Sequence, residues 1–271
     1  MLKMMLVYVI TRLCYYQNVT DMGSRNDSQI LQTVTYRWQR YHPALQTGHY
    51  LSVKSKQRRE DVPVFFGQSS LDGACGLHVL CMVLVILDLA KHDALENMSR
   101  RKFGVPAQVW SAFRHTFFEG VSPTEFCSII NKALMLPLSL TLRQAKEAEL
   151  DIWTVEHCMK GELLAVSFVS TKNQRTNHWA LCVGVEGQQI GRDALIDTLL
   201  LLDPSASTPS FSVFNARLKL SQDGSKARKL NQQQRLSESN KSRPIHWQYE
   251  SPDFDSEPVK LTAAVRIRRT S

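Results

Sequence analysis

A polar, glycine-dotted stretch, GQSSLDGA, runs straight into the apolar block CGLHVLCMVLVILDLA at residues 75–90. The block has helical length and is apolar on nearly every side, which predicts a buried central helix rather than a surface one. Beyond Lys91 the pattern turns mixed. PAQVWSAFRHTFF reads as a surface helix. SPTEFCSIINKAL opens in capping-box order, with Ser122 at the cap, Pro123 at the first helical position and Glu125 behind it. RQAKEAELDIWTVEHCMKG predicts one or two further helices closed by Gly161. Short β-branched and apolar runs then take over: LLAVSFVS, HWALCVGV and TLLLLDPS, with VKLTAAVRIRR near the end. Helices followed by antiparallel strands predict an α+β fold.

Residues 1–62 read as an N-terminal extension of strands and loops, including ILQTVTYRW. Residues 63–214 form the expected core, 215–250 a polar excursion, and 251–271 a final strand rejoining the core sheet. The N-terminal MLKMMLVYVITRLCYYQ invites a signal-peptide reading. Arg12 interrupts it and no small-residue cleavage site follows, so a buried strand is the plainer expectation, with Met22 an alternative start. The longest apolar run, Val79 to Leu87, is too short to cross a bilayer, which takes roughly 18 residues. The six cysteines contain no C-x-x-C pair, a pattern that suits reduced thiols and a cytoplasmic setting.

Charge changes this picture little. The net charge is +8, carried by the flanks; residues 67–214 have 12 basic and 15 acidic side chains. Basic flanks can meet nucleic acid or an acidic partner. No basic run is interleaved with aromatics, however, so a solvated surface is the favoured reading. Nothing implies a cofactor or a membrane. Cys75, His78 and Cys81 drift around a helix instead of sharing one face, and no second ligand pair accompanies them, which argues against zinc. Cys81, Cys127, Cys158 and Cys182 read as small buried hydrophobes, and His78, His115 and His157 as structural histidines.

Cys75 differs from those residues. At a helix start, its sulfur would face unpaired backbone N–H groups and the positive end of the helix dipole, the setting that favours a thiolate nucleophile. Gly73 and Gly76 would leave room for a substrate backbone, with Asn177 lining the cleft; Trp179 reads first as a core aromatic, with a place in the cleft beside His178 as its alternative. The cysteine needs an imidazole from elsewhere. His178 opens a strand whose return strand ends at Asp203, and the midpoint between them falls on Ile190–Gly191, inside the predicted turn. Antiparallel pairing would therefore bring His178 and Asp203 side by side, with the carboxylate orienting the imidazole. The Cys75 N–H and the Gln68 side chain are candidate donors to an oxyanion.

The order Gln, Cys, His, Asp, with HW opening a strand that returns to DP, resembles the papain-like cysteine peptidases over residues 63–205. Within them the chain looks most like the double-glycine leader peptidases and their stand-alone bacterial relatives. The resemblance implies a papain-like fold, in which a helical part carries the nucleophile helix on an antiparallel sheet. It also implies hydrolysis of a peptide or isopeptide bond in a protein or peptide substrate. Cys75 would be nucleophile, His178 base and acid, Asp203 orienter and Gln68 oxyanion donor. Gln68 lies one position further from the cysteine than the family pattern, so Ser69, Ser70 or a backbone group is an alternative donor. The His–Asp hairpin is also longer, which keeps Asp197 as a reserve third member. DGAC is similar to the DG-x-C of ovarian-tumour-type deubiquitinases, which would raise the importance of Asp72. An acyl or amide transferase with the same triad order and a catalytically silent binding module are the other readings.

Overall fold

The computed structural model describes residues 35–55, 60–147, 149–172, 177–190, 193–220 and 246–270. The expected strand at residues 1–10, Cys14, Met22 and residues 221–245 of the excursion lie outside the described residues.

The chain begins with β1 (Thr35–Tyr41) and a small antiparallel sheet of β2 (Leu45–Gln46), β3 (Ser52–Lys54) and β4 (Asp61–Pro63). Then come α1 (Cys75–Ile86), α2 (His92–Glu96), α3 (Gly104–Phe113) and α4 (Pro123–Ala133). β5 (Leu138–Gln144) and α5 (Leu150–Met159) lead into β6 (Leu163–Ser170), β7 (His178–Ile190) and β8 (Asp193–Leu202). β9 (Ala216–Leu220), β10 (Trp247–Ser251) and β11 (Phe254–Arg269) complete the described chain.

The expected α+β, papain-like arrangement of a helix-bearing part on an open sheet is overturned. Strands β6 to β11 pair antiparallel in a closed ring, β7-β6-β11-β10-β9-β8 and back to β7, forming a six-stranded barrel. β1 and β5 add to its outside, on β7 and β11. The expectation failed on three segments. β5 lies partly in sequence read as helix, and its pattern LSLTLRQ has apolar Leu138, Leu140 and Leu142 two apart, a strand period. β9 and β10 lie in the expected polar excursion, and together they bridge β8 to β11 and shut the ring. Closure gives each of the six ring strands a partner on both sides over part of its length.

Alternating residues of the ring strands explain the long apolar runs. One set, including Val166, Ala180, Leu201, Leu218, Tyr249 and Leu261, draws on all six strands and packs with Leu150 and Cys158 of α5, filling the interior. The other set, including Ala165, Leu181, Leu200 and Val265, faces outward beneath α1. Strands β6, β7 and β8 are thus covered on both faces, so they read as near-continuous apolar sequence. α1 is buried along its length except at His78, as its all-round apolar pattern requires.

The α4 cap forms as read: the Glu125 N–H donates to Ser122 Oγ at 3.3 Å, with Pro123 at the first helical position. Ser122→Ala should destabilise the fold by about 1 kcal/mol, read as a lower denaturant midpoint at unchanged slope. An unchanged midpoint would show that the cap is not holding this helix.

Candidate active site at one mouth of the barrel

One mouth of the barrel is framed by the end of β6, the start of β7, the end of β8 and the start of β9. Here β7 places His178 and the residue after β8 is Asp203. The register Leu181↔Leu202, carried one step further, sets Asp203 opposite Ala180. His178 is then its diagonal neighbour on the same face, within reach of a side-chain contact. The contact is made: His178 Nε2 lies 2.8 Å from Asp203 Oδ1. With Nε2 engaged there, Nδ1 is the nitrogen left to face the thiol. The Phe168 ring meets the imidazole edge to face at 5.3 Å and screens its inner side.

Asp203 is 1% exposed, and its oxygens are all used. Oδ1 also accepts the Ser205 N–H at 2.8 Å, and Oδ2 accepts the Tyr249 hydroxyl at 2.8 Å. Asn215 clamps the backbone on both sides, accepting from the Asp203 N–H at 2.7 Å and donating to its carbonyl at 2.9 Å. Burial pushes the carboxyl pKa up. The facing imidazolium, the Ser205 N–H and the Tyr249 hydroxyl outweigh that and hold it below the usual carboxylate range. Burial likewise opposes charge on His178. The field and hydrogen bond of Asp203, with the Cys75 sulfur acting on the same ring, win and raise its pKa to about 10. Burial, and after it the same carboxylate, push the Tyr249 hydroxyl up, so it stays a donor.

Cys75 enters from the other side, as the first residue of α1, and is buried, with its sulfur 3.9 Å from the Gly73 carbonyl. No side chain caps this helix. The first intrahelical donor is His78, whose N–H reaches the Ala74 carbonyl at 3.0 Å, so the N–H groups of Cys75, Gly76 and Leu77 have no partner within the helix. Asp72 shapes the approaching loop. Its carboxylate accepts from the Ser69 N–H at 2.9 Å, the Ser69 hydroxyl at 2.8 Å and the Ala74 N–H at 3.0 Å. Ser70 is exposed on this loop.

Gln68 ties the two halves of the site together. Its N–H donates to the Pro204 carbonyl at 2.6 Å, and its side-chain oxygen accepts the Ser205 hydroxyl at 3.2 Å. Its side-chain amide donates to the Asp72 carbonyl at 2.5 Å, which leaves one amide N–H for another acceptor. Tyr249 and Asn215 carried no signal in the sequence: each is an isolated polar residue brought to Asp203 by barrel closure.

Several expected residues have other roles here. A Cβ on Gly73 would lie 2.6 Å from the Phe118 carbonyl oxygen, and one on Gly76 2.5 Å from Val121 Cγ1. The space those glycines leave is taken by the chain's own 117–121 segment, not by a cleft. Trp179 is a core residue, 1% exposed. It stacks on Phe126, and its indole N–H donates to the Val121 carbonyl at 2.9 Å. Asn177 is exposed and accepts the Thr262 hydroxyl at 2.9 Å. Asp197, the reserve acid, pairs with Arg37 beside Glu186 and takes no part in the site. Among the described residues no cluster of three or more His, Cys, Asp or Glu side chains suits a metal ion. No helix among them is long and apolar enough to cross a membrane.

Comparison with known protein families, curated proteins and solved structures finds no match.

The raised His178 pKa fixes a pH dependence. The folded value lies above the unfolded one, so the ion pair's contribution to stability is fully present below pH 6.5 and is lost as pH rises through about 10. The stability difference between wild type and His178→Asn should therefore shrink steadily from pH 7 to pH 10 in denaturant titrations. A difference constant across that window would mean that His178 is not held as a cation.

Proposed function

We propose that the protein is a thiol hydrolase that cleaves a peptide or isopeptide bond through Cys75, His178 and Asp203. The observation that carries this reading is the 2.8 Å contact between His178 and the buried Asp203, with the Cys75 sulfur acting on the same imidazole; the raised pKa of His178 agrees with it. A thiolate at a helix start beside an imidazolium is the reactive form of cysteine. A strongly perturbed titratable group next to a nucleophile also marks functional sites more often than structural ones.

In the proposed cycle the Cys75 thiolate attacks the carbonyl carbon and a C–S bond forms. The negative charge moves to the carbonyl oxygen, for which the Cys75 N–H and the remaining Gln68 amide N–H are the candidate donors. The C–N bond then breaks, and His178 Nδ1 gives its proton to the leaving amine. The neutral imidazole next takes a proton from water, whose oxygen attacks the thioester carbonyl. The C–S bond breaks, releasing the acid, and thiolate and imidazolium are restored. Asp203 keeps the ring oriented through Nε2 and stabilises its charge, while Tyr249 and Asn215 hold Asp203 in place.

Iodoacetamide at pH 7 tests the first requirement, with peptide mapping to read each cysteine. Cys75 should alkylate at least tenfold faster than Cys127, whose burial pushes its thiol up to about 11. His178→Ala should abolish that advantage. If Cys75 labels no faster than Cys127, the chain is a silent binding module instead.

A further inference from the structure

Beyond the reaction itself, we infer that the site prefers an apolar acyl group, and that Leu71 and Phe118 set this preference. The inference rests on Cys75 being the nucleophile. Both side chains are exposed despite their size, Leu71 at 85% and Phe118 at 75%. One belongs to the nucleophile loop and the other to the segment packed against it. Leu71 stands in the 68–74 loop that delivers Cys75. Phe118 stands in the segment that fills the space beside Gly73 and Gly76.

The two segments are joined directly, the Gly73 N–H donating to the Phe117 carbonyl at 2.8 Å. Phe117 braces Phe118 edge to face at 5.1 Å and meets Trp110 at 6.0 Å, so the outer ring stands on an inner aromatic layer. The missing Cβ atoms let the backbone of the segment that bears Phe118 close against the thiol's own loop.

Charge supports the same occupant. The chain as a whole is basic, yet residues 67–76 and 117–121 contain no lysine or arginine. Asp72 is engaged by its own loop, and Glu119 is exposed. An anionic acyl group would meet no cation on these two segments. A neutral apolar group gains by covering two side chains that otherwise face water. The substrate class is thus an acyl donor with an apolar side chain next to the scissile carbonyl.

Acylation by p-nitrophenyl acetate and p-nitrophenyl hexanoate, followed as the nitrophenolate burst in the full chain, tests this. The sulfur–acyl bond forms as the ester C–O bond breaks, and nitrophenolate leaves with the electron pair. The hexanoate should acylate Cys75 about tenfold faster than the acetate after correction for solution thiolysis, as expected for burying a few methylenes. Leu71→Ser combined with Phe118→Ser should bring the ratio near one, and Leu71→Met with Phe118→Leu should restore it. A burst independent of chain length, or a preference that survives the serine pair, overturns this inference alone. No Cys75-dependent burst with either ester overturns the nucleophile reading and this inference with it.

Discussion

A carboxylate with one percent of its surface in water must be neutralised and fully hydrogen-bonded or it will not stay ionised. Asp203 meets that demand with His178, Ser205 and Tyr249 on its oxygens and Asn215 on its backbone. Those partners come from β7, the loop after β8, β10 and the residue preceding β9. The carboxylate can be satisfied only when the ring is closed, so the ion pair and the barrel depend on one another. Buried ion pairs seldom add much net stability, because desolvation offsets their attraction. The arrangement is better understood as one that keeps an imidazole charged and fixed beside a thiol.

Cys75 is held by a separate support. α1 lies across the outer face of β7 and β6, locked where Gly76 meets Val121 and Trp179. Asp203 and His178 sit on the barrel, and the Cys75 thiol sits on the helix. The Gln68–Pro204 and Gln68–Ser205 hydrogen bonds tie the two supports together, one and two residues past Asp203. Such bracing fixes the two loops against each other where they leave the helix and the barrel.

Much of this is written locally in the sequence. The all-round apolar block at 75–90, the Ser122–Pro123–Glu125 cap and the runs that became β6, β7 and β8 each carry their own signal. The His178–Asp203 pairing was legible from hairpin symmetry, although the apex lies one residue further along than expected. The resulting two-residue offset preserves the face, because side chains in a strand repeat every second position. Barrel closure was not legible. β9 and β10 are short and separated by a long polar stretch, so their pairing with β8 and β11 is long-range information. Tyr249 and Asn215 were hidden for the same reason. The missing Cβ of Gly73 and Gly76 is plain from the sequence, but the occupant of the space is the protein itself.

The most direct test of the central claim is the protonation state of His178 in the folded chain, followed by nitrogen-15 NMR of the histidine ring nitrogens against pH. With the Asp203 pair intact beside Cys75, both ring nitrogens should keep imidazolium shifts through pH 8 and move only as pH approaches about 10. A ring that titrates near its ordinary value of 6.5, as a neutral tautomer above it, would contradict the account.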